Sequence, residues 1–166
     1  MKREMSAEDQ AKMVLFIEAL RGGKFSQGSG GHLFTSEPDL YCCLGVACSI
    51  FHKKLNLSVL ENLTLIESID AGEDLFSEGY YSKEDFDMPS IFYDYTFQLK
   101  MASLNDGTRL NPLLGQYSVK ERFFGKEASS YIKGKAKQTG LLQTVQLSFS
   151  EIADVIEIMF IKKDKV

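Results

Sequence analysis

A chain of 166 residues with 44% hydrophobic and 25% charged residues has the size and composition of one globular domain, which excludes a disordered chain. Its formal net charge of −4 gives no global attraction to nucleic acid or to an anionic membrane. No apolar run approaches the ~20 residues that span a bilayer, no secretory signal opens the chain, and three clustered cysteines do not make a disulfide framework, so a cytoplasmic protein with reduced thiols is expected.

Taken in chain order, Ser6 is placed to cap a first helix, with Asp9 three residues on as a variant of the capping box. Met13, Phe16, Ile17 and Leu20 then share one helical stripe, and Arg21-Gly22-Gly23 supplies a cation and a left-handed stop. Residues 22–31 hold five glycines. Lys24 to Gln27 and His32 to Thr35 flank Gly28-Ser29-Gly30-Gly31 as a hairpin would, and Ser36-Glu37-Pro38-Asp39 is a second turn. From Tyr41 to Phe51 the chain is almost wholly apolar and reads as a helix buried on all sides.

The middle is less periodic. Residues 57–69 are apolar at mixed spacing, and 61–87 hold nine acids against Lys83. Met88-Pro89-Ser90 starts a short helix, and Phe97 to Leu104 leads into a tight turn at Asn105-Asp106-Gly107. Residues 120–137 carry six bases against Glu121 and Glu127, with Phe123, Phe124 and Tyr131 interleaved and Gly125 and Gly134 as breaks. That stretch reads as a solvated loop offsetting the acidic block, with nucleic-acid contact the lesser reading. Ser148 and Glu151 form a capping box before an amphipathic helix whose apolar face is Ile152, Val155, Ile156, Met159 and Phe160, with Lys162 and Lys163 at its end.

The run Cys-Cys-x4-Cys invites a metal site, and spacing argues against it. On a helix Cys42 and Cys48 stand about 240° apart and Cys43 and Cys48 about 140°; on a strand Cys42 and Cys48 are ~20 Å apart. With only two histidines in the chain, no metal and no cofactor is expected. Packing by small apolar thiols is the main reading. Nucleophilic use would require Cys42 or Cys43 at a helix N-terminus with His32 folded over as base. The glycine-rich segment is not a P-loop, because Phe25 stands where serine or threonine is needed, yet its amides could hold an anion with Arg21, Lys24, Ser26 and Gln27.

Four elements occur together: Ala19-Leu20-Arg21-Gly22-Gly23-Lys24-Phe25-Ser26-Gln27-Gly28, Tyr41-Cys42-Cys43-Leu44-Gly45-Val46-Ala47-Cys48, Leu104-Asn105-Asp106-Gly107, and Phe149-Ser150-Glu151-Ile152-Ala153-Asp154-Val155-Ile156-Glu157. In this order they resemble a family of small, mostly uncharacterised tailed-phage and prophage proteins with A-L-R-S-G-x-[YF]-x-Q, C-C-L-G-V-x-C, L-N-D and S-F-x-E-I-A-D-x-I-E elements. The resemblance implies phage origin and an α+β fold of a single compact domain, and supplies no activity. Two departures stand out. Residues 108–147 intervene where relatives run almost directly into the last helix, and the tryptophan usual in the middle is replaced by the stretch of Phe92, Tyr93 and Tyr95.

The resulting expectation is a binding protein that sequesters a nucleotide-derived immune signal in the bacterial host. Arg21, Lys24, Ser26 and Gln27 would serve its phosphates, Asn105 and Asp106 its ribose or base, and Tyr41 would stack. Two others stand beside it: a hydrolase using Cys42 or Cys43 with His32, or a carboxylate such as Asp106, and an acidic inhibitor presenting residues 61–87 to a basic host protein. Neither membrane nor nucleic acid is expected as partner; a homo-oligomer is compatible.

Overall fold

The computed structural model describes residues 5–28, 33–36, 39–53, 83–110, 121–139 and 142–161. His32, residues 57–69, most of the acidic block, and Lys162 and Lys163 lie outside them. Six α-helices and five short strands are present among the described residues, an α+β arrangement.

Helix α1 (Ala7–Arg21) starts where Ser6 accepts a hydrogen bond from the Asp9 amide at 3.0 Å, and it buries the stripe Met13, Phe16, Ile17 and Leu20. Gly22 ends it and Gly23 follows at φ +70°. Strands β1 (Phe34–Ser36) and β2 (Asp39–Tyr41) pair antiparallel, with Phe34 opposite Tyr41. The expected hairpin is therefore displaced by one turn: β1 pairs across residues 37 and 38, and not with residues 24–27. The earlier segment instead lies along the other edge of β2, where the Tyr41 amide donates to Ser26 O and the Gly28 amide to Tyr41 O, both at 2.8 Å. The other edge of Tyr41 takes the glycine-rich segment in parallel, at Gln27.

Helix α2 (Cys43–Phe51) follows and is buried along almost its whole length. A 3-10 turn at Ser90–Tyr93 places Phe92 at the centre of the core. Phe16, Phe97 and Phe51 meet its ring edge-on, at centroid separations of 5.1, 5.0 and 6.4 Å. Phe92 thus fills the aromatic centre of the core. Helix α3 (Tyr95–Asp106) is capped by Asp94, whose carboxylate accepts from the Phe97 amide at 3.0 Å. Its buried Gln98 donates to Phe92 O at 2.8 Å.

The turn expected at Asn105-Asp106-Gly107 begins later than the sequence suggested. Asn105 and Asp106 form the last turn of α3, and only Gly107, at φ +97°, leaves it. Strand β3 (Thr108–Leu110) then pairs with β5 (Leu142–Val145), and β4 (Lys137–Thr139) pairs with the other edge of β5. Because Thr108 faces Val145, the two ends of the segment 108–145 lie side by side. The basic stretch is not the solvated loop expected. It folds into α4 (Glu121–Phe124) and α5 (Lys126–Gly134), burying Phe124, Ala128, Ser129 and Ile132, since Ala128 and Ile132 share one helical face.

Helix α6 (Phe149–Ile156) carries the capping box of Ser148 and Glu151 and continues as a π-turn through Ile161. It packs against α1, α3 and α5, so the C-terminal helix is the common wall of the core and the insertion. No helix among the described residues is long and apolar enough to cross a membrane.

Candidate functional site

Gln27 and Asn105 are the residues around which the glycine-rich segment, the end of α3 and the start of α6 meet. Gln27 Nε2 donates to Asn105 Oδ1 at 3.1 Å and to Leu147 O at 2.8 Å, and its Oε1 accepts from the Phe149 amide at 2.8 Å. Asn105, fully buried, donates from Nδ2 to Gly28 O and to Asp106 Oδ1, both at 2.9 Å. The Gln146 side chain reaches Asn105 O at 3.2 Å, and the Leu147 amide reaches Leu104 O at 2.9 Å. One pair of amide side chains thereby joins the glycine-rich strand, the end of α3 and the start of α6. Each amide hydrogen and each side-chain oxygen of the pair has a partner, so the capacity to bind a ligand has been used inside the fold.

Arg21 is likewise engaged. Its guanidinium contacts Asp154 at 2.5 Å and Glu157 at 2.7 Å, and Tyr131 donates its hydroxyl to the second oxygen of Asp154 at 2.7 Å. This cluster clips α1 and the insertion to α6. Burial and the neighbouring Asp154 carboxylate push the Tyr131 hydroxyl well above its ordinary value, while both carboxylates hold Arg21 charged. Nothing in the sequence marked Asp154 as the shared partner except its place on the polar side of the amphipathic helix.

Lys24, Phe25, Ser26 and Tyr41 form the remaining surface. Lys24 and Ser26 are exposed, and Phe25 and Tyr41 are half-buried. The Phe25 ring meets Tyr41 edge-on with centroids 4.9 Å apart, Phe34 supports Tyr41 from 4.6 Å, and the Lys24 ammonium lies 5.6 Å from the Phe25 centroid. Burial, then the Asp39 charge, raises the Tyr41 hydroxyl, which stays neutral at physiological pH. Phe25 rules out a P-loop, and its place between a cation and a hydroxyl in the sequence is the signal that it belongs to this surface. Asp106 stands at the rim of the Gln27–Asn105 pair, as acceptor for Asn105.

The cysteines are interior. Cys42 is the N-cap of α2, its sulfur accepting from the Gly45 amide at 3.3 Å, and Cys43 donates its thiol to Met101 O at 3.4 Å. All three are reduced, and no group of metal-binding side chains occurs among the described residues. A helix N-terminus favours thiolate, but burial outweighs it here. Desolvation pushes Cys42 up to about 12 against the opposing Gly45 amide, and it raises Cys43 and Cys48 as well. Such thiols suit packing and work against nucleophilic attack.

Native protein is therefore expected to resist a thiol reagent at pH 8 and to react only as it unfolds, with rates that rise with denaturant. The same shift has a pH consequence. Because Cys42 titrates higher folded than the ~8.5 of a free thiol, its contribution is intact below that value and is lost as pH climbs toward about 12. Rapid labelling of Cys42 or Cys43 in the folded protein at neutral pH would contradict this placement.

Comparison with models of known families, with curated proteins and with solved structures returned no match.

Proposed function

We propose that this chain is a phage protein that works by binding and sequestering a nucleotide-derived signal of host immunity. The observation that supports the reading is the patch in which exposed Lys24 and Ser26 flank the edge-on pair Phe25 and Tyr41. A cation and a hydroxyl suit phosphate oxygens, and an aromatic edge suits a base. This narrows the expected ligand contacts to Lys24, Ser26 and Tyr41, with Phe25 added; Arg21, Gln27 and Asn105 hold the patch in place. Burial of the thiols favours binding over thiol hydrolysis.

Calorimetry of the purified chain against a panel of cyclic and ADP-ribose-type nucleotides tests the reading. At least one member is expected to bind, to be recovered chemically intact after heat release, and to lose affinity tenfold or more, ~1.4 kcal/mol, in Lys24→Glu. Silence across the panel removes the proposal. A ligand returned chemically altered makes the protein an enzyme.

A further inference from the structure

We propose that the inserted α4–α5–β4 segment presents a binding surface for the phosphate backbone of a nucleic acid. Several cations of the described residues are held by partners. Lys12 pairs with Glu8 and Asp87, Arg21 with Asp154 and Glu157, and Lys135 with Glu151, while Lys53 donates to Glu84 O. The side chains of Arg122, Lys126, Lys133 and Lys137 are exposed and make no ion pair or hydrogen bond; outside this segment Lys24 also lacks both and lies 5.6 Å from the Phe25 ring centroid. These four side chains fall within residues 122–137, on α4, α5 and β4.

Helical geometry lines up part of this set. Lys126, Ser130 and Lys133 stand at i, i+4 and i+7 of α5, one exposed stripe with its lysines about 10 Å apart along the axis. The core side of the helix is Ala128, Ser129 and Ile132, and Tyr131 turns toward Asp154 of α6, so the stripe lies on the remaining flank. The helix begins at Gly125 without a side-chain cap, which leaves first-turn amides beside Lys126. Arg122 precedes the stripe on α4 and Lys137 follows it at the start of β4.

The chemistry favours phosphate over an acidic protein. Protein interfaces are anchored by buried aromatic or aliphatic side chains. The large hydrophobic side chains exposed among the described residues are Val14 and Leu15, both on α1, so the described part of α4, α5 and β4 offers no such anchor. Lysine, arginine, a hydroxyl and helix-start amides are the groups that hold nucleic-acid backbones without reading sequence. In a chain carrying net −4, binding of a polyanion depends on a local patch of cations and falls steeply with salt.

Fluorescence anisotropy of the whole chain with labelled mixed-sequence duplex and single-stranded DNA decides the matter. Binding to either is expected at low salt, and engagement of all four cations gives a log–log salt slope near −3.6 on duplex, about −0.9 per phosphate. K126Q/K133Q should weaken binding about tenfold or more and make that slope shallower by about 2, with an unchanged melting temperature, whereas K126R/K133R retains binding. Absence of binding at low salt, or binding untouched by K126Q/K133Q, overturns the proposal. So does capture by anionic phospholipid vesicles with neither nucleic acid bound.

Discussion

Gly45→Ala is expected to leave the protein unfolded, or destabilised by more than about 4 kcal/mol in a denaturant titration. The alanine methyl carbon would lie 1.8 Å from Leu33 O and 2.7 Å from the Leu33 carbonyl carbon. Both are backbone atoms, and they are held there because the Cys42 amide donates to the same oxygen at 3.1 Å. Relief would require α2 to move off the strand that precedes it, which breaks the cap at Cys42 and disturbs a helix whose residues are nearly all buried. Gly134→Ala is the matched control, since nothing lies within 4 Å of the added carbon. Its effect should stay within about 1 kcal/mol. If Gly45→Ala melts like the parent, the packing of α2 on Leu33 is wrong.

The second large effect is expected at the Gln27–Asn105 pair. Gln27→Ala removes the partners of Asn105 Oδ1, Leu147 O and the Phe149 amide together. Asn105→Ala orphans Gly28 O and one Gln27 hydrogen inside a fully buried site. An unsatisfied buried group costs about 1–3 kcal/mol, and water can reach the half-buried Gln27 side, so each substitution should cost about 2–4 kcal/mol. A ligand-binding role alone would leave stability almost unchanged and reduce affinity instead. Urea titration separates the two.

Much of the scaffold was legible because it rests on local rules. Ser6 and the stripe Met13, Phe16, Ile17 and Leu20 define α1, the Ser148–Glu151 box opens α6, and the apolar run through Cys43 and Phe51 had no alternative to burial. Strand pairing was less legible, because Tyr41 offers two backbone edges and sequence does not say which neighbour takes which. Amide side chains misled for a related reason. Gln27 and Asn105 lie 78 residues apart, so their mutual bond is invisible to spacing, and each by itself looks like an exposed recognition residue. Asn105 in particular sits where turn chemistry is common, yet α3 continues through it because its amide is satisfied by Gly28 O and its own neighbour. The basic insertion failed in the opposite direction: its charge drew attention away from the Phe124, Ala128 and Ile132 spacing that folds it. The three cysteines are free and buried, and the structure shows what Cys42 and Cys43 do beside Gly45. Cys42 caps the helix, Cys43 bonds α3, and Gly45 admits the Leu33 carbonyl.

The central claim is that the glycine-rich segment, α3 and α6 meet in a structural joint made by Gln27 and Asn105, and a double-mutant cycle tests it most directly. Gln27→Ala, Asn105→Ala and the double variant would be compared by urea denaturation at one pH. The joint predicts that the double variant is more stable than the sum of the two losses implies, with a coupling above about 1 kcal/mol. Additivity within about 0.3 kcal/mol would mean the two side chains do not act on each other, and would contradict the account.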